Sequence, residues 1–306
     1  MATVYRPLRP SRPRFVPVRG LSYHVHIWGD IAQATAERPP LVMVHGWMDV
    51  GASYQFVVDE LARGEGEARC VIAPDWRGFG LTEAPGTDAY WFPDYLGDLD
   101  ALLDALCPGA AVDLAGHSMG GNVVMAYAGA RPKRVRRLVN LEGFGLPRNP
   151  PEKAPSRMAQ WLDELKVPQT LRDYASVDEV AQRLLANDPL LTADKAAWLA
   201  PHWSRRGEDG RWHILGDPAH KRTNPVMYRV DETLETWKLI NAPLLWVEGD
   251  LTDIGKWWGQ RYSKAEFHER LSVVRQVRRE ALSPCGHMLH HDQPAALARL
   301  LRDFLV

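Results

Sequence analysis

Short apolar runs, each closed by glycine, proline or a polar side chain, recur along the chain at 41–44, 70–73, 112–115, 138–141 and 244–247. Unbroken runs of this length read as strands buried on both faces, the pattern of a parallel sheet. Between them the period lengthens. Tyr95, Leu96, Leu99, Leu102, Leu103 and Leu106 fall at three- and four-residue intervals with Asp94, Asp98, Asp100 and Asp104 interleaved, which predicts a helix with its apolar stripe turned inward. Residues 14–28 alternate around Arg19-Gly20 and predict an opening β-hairpin. From 145 to 240 the strand rhythm stops, and the chain becomes rich in Pro and Trp, with helical patterning at 177–186 and 192–199. The pattern predicts an α/β core in two parts, 1–144 and 241–306, interrupted by an inserted, mainly helical cap at 145–240. A last strand is predicted at 271–281, ahead of a Leu- and Ala-rich closing helix. In such sheets ligands bind at the carboxyl ends of the strands, so functional residues are expected just after strands.

Composition narrows the picture by exclusion. The 37 basic and 38 acidic residues nearly cancel, with a formal net charge of -1, so no global field favours a nucleic acid partner. Charged residues interrupt every apolar run before the roughly 20 residues a membrane span needs. Residues 1–20 carry Arg and Pro without a continuous apolar stretch and do not read as a secretory signal. The three cysteines, Cys70, Cys107 and Cys285, are odd in number and far apart, which predicts free thiols and a cytoplasmic protein.

The chemistry centres on Gly116-His117-Ser118-Met119-Gly120, which follows the run at 112–115 and precedes the helical pattern at 122–130. A strand-to-helix turn this tight needs glycines on both sides of the serine, and it exposes Ser118 as a nucleophile. Among 11 histidines, His287 is singled out as general base, because Cys285-Gly286-His287 follows the last strand-like stretch and lies after the serine in chain order. His290 and His291 stand close by. A zinc reading of these histidines finds no further Cys, Asp or Glu ligand at a familiar spacing, so no metal and no cofactor is expected. His290 and His291 read instead as the polar start of a helix ahead of Gln293-Pro294, and Cys285 as a packing residue.

Together with His45-Gly46-Trp47-Met48-Asp49 and Pro74-Asp75-Trp76-Arg77-Gly78-Phe79-Gly80, these motifs resemble the α/β-hydrolase superfamily, and more narrowly its serine hydrolase-like proteins. The resemblance covers most of the core and little of 145–240. It implies the α/β-hydrolase fold, with an oxyanion hole made by the backbone N–H groups of Trp47 and Met119. Asp75 and Arg77 are expected to brace their loop, where Leu81-Thr82 departs from the small residue and serine that relatives often carry. Two carboxylates compete for the acid. Glu142 follows the run at 138–141, the site used by haloalkane dehalogenases of similar fold. Asp253 follows the run at 244–247, where most of the superfamily places its acid, but the usual register falls on Thr252, between Asp250 and Asp253. The Glu142-Gly143-Phe144-Gly145 context resembles the serine hydrolase-like group and favours Glu142, with Asp253 as the alternative.

The resulting expectation is a serine hydrolase that cleaves a small-molecule carboxylic ester with a hydrophobic moiety through an acyl-enzyme on Ser118. Thioesters, lactones, amides and C–C bonds remain alternatives on the same residues, as does a non-catalytic ligand-binding receptor on this fold. Of 12 tryptophans, Trp47 sits in the oxyanion loop and Trp161, Trp198, Trp203, Trp212 and Trp237 in the insertion. Two or three tryptophans are expected to line an apolar pocket above Ser118, and the rest to pack in cores.

Overall fold

Strands β1 (Arg14–Val18) and β2 (Leu21–Trp28) pair antiparallel across Arg19 and Gly20. Both turn residues have positive φ, 47° and 82°, as a tight two-residue hairpin turn requires. The buried runs follow as β3 (Leu41–Val44), β4 (Val71–Pro74), β5 (Val112–His117) and β6 (Val135–Leu141). Three short strands within 145–240, β7 (Asp173–Tyr174), β8 (Ser204–Arg206) and β9 (Trp212–Ile214), precede β10 (Leu244–Gly249) and β11 (Val277–Leu282). In the computed structural model, which describes residues 4–63 and 69–306, the main sheet has eight strands among the described residues, in the order β1-β2-β4-β3-β5-β6-β10-β11. All are parallel from β4 onward, and β2 runs antiparallel to both its neighbours. Residues 1–3, part of the stretch read for a leader, lie outside the described residues.

The uninterrupted apolar runs are explained by two cores, one on each face of the sheet. Val42, Val44, Leu114, Leu138, Leu244 and Trp246 face helices α2 (Phe92–Leu106) and α3 (Met119–Ala130). Their chain neighbours Met43, Ala115, Val139, Leu245 and Val247 face α1 (Gln55–Ala62) on the opposite side, with residues of a C-terminal helix, Leu297 and Leu301. Every position of β3, β4 and β5 is therefore buried, and β6 and β10 depart from this only at Arg136, Arg137 and Glu248, so no polar alternation survives. The 145–240 segment contains α4 (Ala154–Leu165), α5 (Val177–Asn187), α6 (Ala193–Trp203) and the β7-β9-β8 sheet. A third core joins Val180, Leu184, Ala196 and Leu199 of this segment to Phe56 of α1. Helix α7 (Val230–Lys238), at the end of the 145–240 stretch, packs instead on α3. Trp237 is buried in the main core, and a side chain at Gly129 would collide with the Thr236 carbonyl. The remaining helices are α8 (Gly255–Trp258), α9 (Lys264–Leu271), α10 (Leu289–Asp292) and α11 (Pro294–Phe304).

Two local expectations change. The last strand covers only Val277–Leu282, because Leu271 ends α9 and Val274 is buried in the turn that follows; apolar burial there mimics a strand without sheet pairing. Asp98, on the helix that carries the apolar stripe, is fully buried rather than solvated. Arg77 grips it through Nε and Nη2 at 2.5 and 2.6 Å, Tyr23 donates its hydroxyl at 2.6 Å, and Arg19 adds a bond at 2.9 Å.

Buried histidines set the response of this fold to acid. Burial lowers His26, His220 and His291 to about 4, whereas an unfolded chain protonates them near the ordinary 6.5. Their neutral packing favours the native state above 6.5, and that contribution is lost as pH falls towards 4, at about 1.4 kcal/mol per pH unit for each group. Asp292 has the opposite sign. Burial, then the charge of Asp188, raises it to about 6, so it favours the native state at low pH and loses that advantage as pH rises from 3.8 to about 6. Three groups outweigh one, and Tm is expected to drop by on the order of 10 °C between pH 7 and pH 5. A flat Tm in circular dichroism melts over this range would refute the assignment of neutral buried imidazoles.

Candidate active site

Strand β5 runs directly into a turn in which Ser118 holds φ 53° and ψ -114°, and α3 starts at Met119. This conformation is costly for any residue with a Cβ, so the surroundings must impose it. A side chain at Gly116 would collide with the Gly120 carbonyl, and one at Gly120 with the Val44 carbonyl. The Ser118 N–H is fixed by the Leu141 carbonyl at 2.8 Å.

The adjacent strand end carries Glu142, also at positive φ (56°) and 1% exposed. Asn140 closes this turn, accepting from the Gly143 N–H at 2.8 Å and donating to the Gly143 carbonyl at 3.2 Å. Three donors converge on the Glu142 carboxylate: the Gly249 N–H at 2.7 Å, the Thr252 hydroxyl at 2.9 Å and His287 Nδ1 at 2.6 Å. His287 Nε2 lies 2.9 Å from Ser118 Oγ. The fold thus brings Ser118, His287 and Glu142 into one hydrogen-bonded line. The exposed Asp253 carboxylate accepts from the Gly255 N–H at 2.9 Å and, among the described residues, has no hydrogen bond to His287. Asp250, likewise exposed, accepts from Ser283 Oγ at 2.6 Å and the Cys285 N–H at 2.8 Å, tying its loop to that of His287.

The loop after β3 passes beside the serine, since a side chain at Gly46 would sit 3.1 Å from Ser118 Cβ. His45 is buried and lowered by that burial, which keeps it neutral. Its Nδ1–H donates to the Gly46 carbonyl at 2.7 Å, and its Nε2 accepts from the Trp76 N–H at 2.9 Å. Met119 opens α3, so its N–H has no carbonyl four residues back within the helix. Asp75 accepts from His24 Nδ1, Gly51 N–H and Leu81 N–H at 2.8, 2.7 and 2.9 Å, and Arg77 grips Asp98, so both residues brace the loop.

The tryptophans divide between the cores and the site. Trp198, Trp203 and Trp212 pack against the third core, Trp237 lies in the main core, and Trp161 is half-buried in α4. Trp47 remains exposed. The ring that meets His287 is Trp257 of α8, edge-on at 4.7 Å between centroids, and no periodicity marked it. Two further contributors lay in plain view within motifs. His117, the variable residue before the serine, donates Nε2–H to the His287 carbonyl at 2.7 Å. Thr252 occupies the usual acid register and hands a hydroxyl to Glu142. His290 and His291 do begin a short helix, but they are buried at 0% and 2% exposure rather than solvated. All three cysteines are free and buried, with burial raising Cys70 to about 11 and Cys285 further.

No described helix is long and apolar enough to cross a membrane. Comparison with known proteins points to the same fold. The chain is 36% identical over 272 residues to 2-hydroxy-6-oxo-2,4-heptadienoate hydrolase of Pseudomonas putida, covering 87% of this chain and 88% of that one. It is 23% identical to a serine hydrolase-like protein of Danio rerio, covering 91% and 86%. Among solved structures, the thioesterase domain from the curacin biosynthetic pathway superposes with a TM-score of 0.81 at 25% identity, covering 95% and 99%. A family model described as the alpha/beta hydrolase fold matches residues 39–294, from just before β3 to the start of α11. With that span matched and the parallel sheet delivering a serine, a histidine and a carboxylate to one edge, the chain belongs to the α/β-hydrolase fold family and is a hydrolase of that family.

Proposed function

We propose that the protein is a serine hydrolase that cleaves a small carboxylic ester with a hydrophobic moiety. The observation that carries this reading is the line from Ser118 Oγ through His287 to the buried Glu142 carboxylate, at 2.9 and 2.6 Å. Ser118 Oγ attacks the acyl carbon while His287 Nε2 takes its proton, and Glu142 holds Nδ1–H and compensates the imidazolium. The N–H groups of Trp47 and Met119 receive the oxyanion. His287 then protonates the departing alcohol and activates the water that releases the acid. Residues 145–240 act as a cap, and exposed apolar side chains at Trp47, Leu146 and Trp257, with Met158 and Leu162 of α4, support a hydrophobic substrate. No metal or cofactor takes part in these steps.

A second reading is hydrolysis of an activated C–C bond, favoured by the similarity to the heptadienoate hydrolase over most of both chains. A panel of p-nitrophenyl esters of increasing acyl length, run beside a 2-hydroxy-6-oxodienoate, separates the two. The ester reading expects a burst of p-nitrophenol and a kcat/KM that rises with chain length. Turnover of the dienoate well above that of every ester would install the second reading instead. Failure of Ser118 to react with a fluorophosphonate would remove both.

A further inference from the structure

Beyond the His117 ring, which packs 4.7 Å from both His287 and His290, lies a polar cluster that the proposed reaction does not use. Asp49, His290 and His291 are 3%, 0% and 2% exposed, and each offers a ligand atom within 4.8 Å of the others. Asp49 Oδ2, both ring nitrogens of His290, and His291 Nε2 are buried without a hydrogen-bond partner. Every imidazole carries at least one N–H, and His290 meets no acceptor in good geometry: its Nε2 faces Asp49 Oδ2 at 3.4 Å without a well-formed hydrogen bond, and its Nδ1 has no protein partner. Two of these four atoms face each other only at 3.4 Å and the other two have no protein partner, so the pocket can take one partner common to all four. The second buried triple, His24, His26 and Asp75, behaves differently, since His24 Nδ1 is bonded to Asp75 at 2.8 Å and His26 Nδ1 to Ser11 Oγ at 2.9 Å.

We propose that Asp49 Oδ2, a ring nitrogen of His290 and His291 Nε2 form a binding site for a divalent transition metal ion of the zinc class. Two imidazoles and one carboxylate are a donor set such ions accept, with a fourth position open to water. The surroundings match. His291 Nδ1 faces Asp188 Oδ2 at 3.3 Å, the carboxylate–histidine arrangement that orients metal-bound imidazoles, and His290 Nε2 stands 3.4 Å from Asp49 Oδ2. The other Asp49 oxygen is held by the Val50 N–H at 2.8 Å and by the Ser53 hydroxyl, which aims Oδ2 at the histidines. Carboxyl groups Asp49, Asp188 and Asp292 outnumber the nearby cation Lys195, whose ammonium donates to the His291 carbonyl at 2.8 Å. An ion here ties the oxyanion loop, through Asp49, to α10 just after His287. The sequence spacing offered no third ligand because Asp49 arrives from the loop after β3.

The test uses the full chain, stripped with chelator, refolded and titrated with Co2+ while its ligand-field absorption is followed. One equivalent is expected to bind, and saturation with Zn2+ should raise Tm by roughly 5 °C. His291→Gln and Asp49→Asn should each weaken Co2+ binding on the order of 100-fold. His213→Gln, in the exposed Asp173, Asp209 and His213 cluster, should not. Should the buried variants misfold, anomalous scattering at the zinc edge from wild-type crystals grown with Zn2+ decides, with a peak between Asp49 and His291 expected. Absence of stoichiometric binding to the wild type, undiminished binding by folded His291→Gln, or a peak at His213 alone would each overturn the site. These readouts are independent of which bond Ser118 attacks.

Discussion

Replacing Ser118 by alanine is expected to lower kcat on a p-nitrophenyl ester by about 10⁶-fold, the scale seen when a triad serine is removed elsewhere. The size follows from chemistry and not from unfolding. Alanine keeps the Cβ already tolerated at φ 53°, and the N–H bond to Leu141 is a backbone bond that survives. What disappears is the Oγ 2.9 Å from His287 Nε2, and with it the acyl-enzyme. Ser118→Gly is the sharper companion. It should lose as much activity while relaxing the strained turn, so its Tm should exceed that of Ser118→Ala by a few degrees, about 1 kcal/mol of strain being relieved. Retention of more than about 1% of wild-type kcat by purified Ser118→Ala would remove the covalent mechanism.

Glu142→Gln is expected to lower kcat by about 10⁴-fold, on the scale of the aspartate-to-asparagine change in a serine protease triad. Glu142 receives three donors and offers none in return. A glutamine of equal volume must turn its NH₂ towards one of them. Either it loses the Gly249 N–H, or it faces His287 donor to donor and forces the tautomer whose Nε2 cannot accept the serine proton. In neither arrangement is the imidazolium compensated. Thr252→Val removes one charge-assisted bond from the same carboxylate and should cost about 10-fold. Asp253→Asn, at an exposed site bonded only to its own loop, should cost less than about 2-fold because water screens it from His287. All four enzymes should be compared on kcat at saturating substrate. A large loss in Asp253→Asn with a small one in Glu142→Gln would return the acid to its usual position in the superfamily.

Elements whose identity depends on local pattern were readable from the chain alone. The elbow around Ser118 needs two glycines between a strand and a helix, and both cores follow from runs in which nearly every strand residue is apolar, Asp113 and Asn140 being exceptions. Features that depend on what a loop meets in space were not. Asp98 occupies a helical position indistinguishable from Asp94 or Asp104 until Arg77 and Tyr23 arrive from other elements. His290 and His291 look like a solvated helix start, and only the approach of α1 and the loop carrying Asp49 buries them. Spacing alone could not choose between Glu142 and Asp253, because either lies after a strand end on the same edge. The decisive mark was indirect: a threonine in the acid register can donate to a carboxylate supplied from β6 but cannot replace it. Trp257 escaped notice because a four-residue helix carries no period.

Supplying the carboxylate from β6 divides labour between neighbouring strand ends. Beyond Thr252, the segment after β10 has no ionised partner to hold at a fixed distance from His287, yet through Trp257 it forms part of the wall beside that ring. Lineages that keep their acid there must conserve loop length to within a residue. With Glu142 as the acid of the proposed mechanism, the segment is released from that constraint, so insertions and substitutions from 253 onward can reshape the wall beside His287 while the proposed proton transfer stays intact. The site thereby gains an evolvable margin: selectivity can drift on one strand end while the reaction chemistry stays locked on two others.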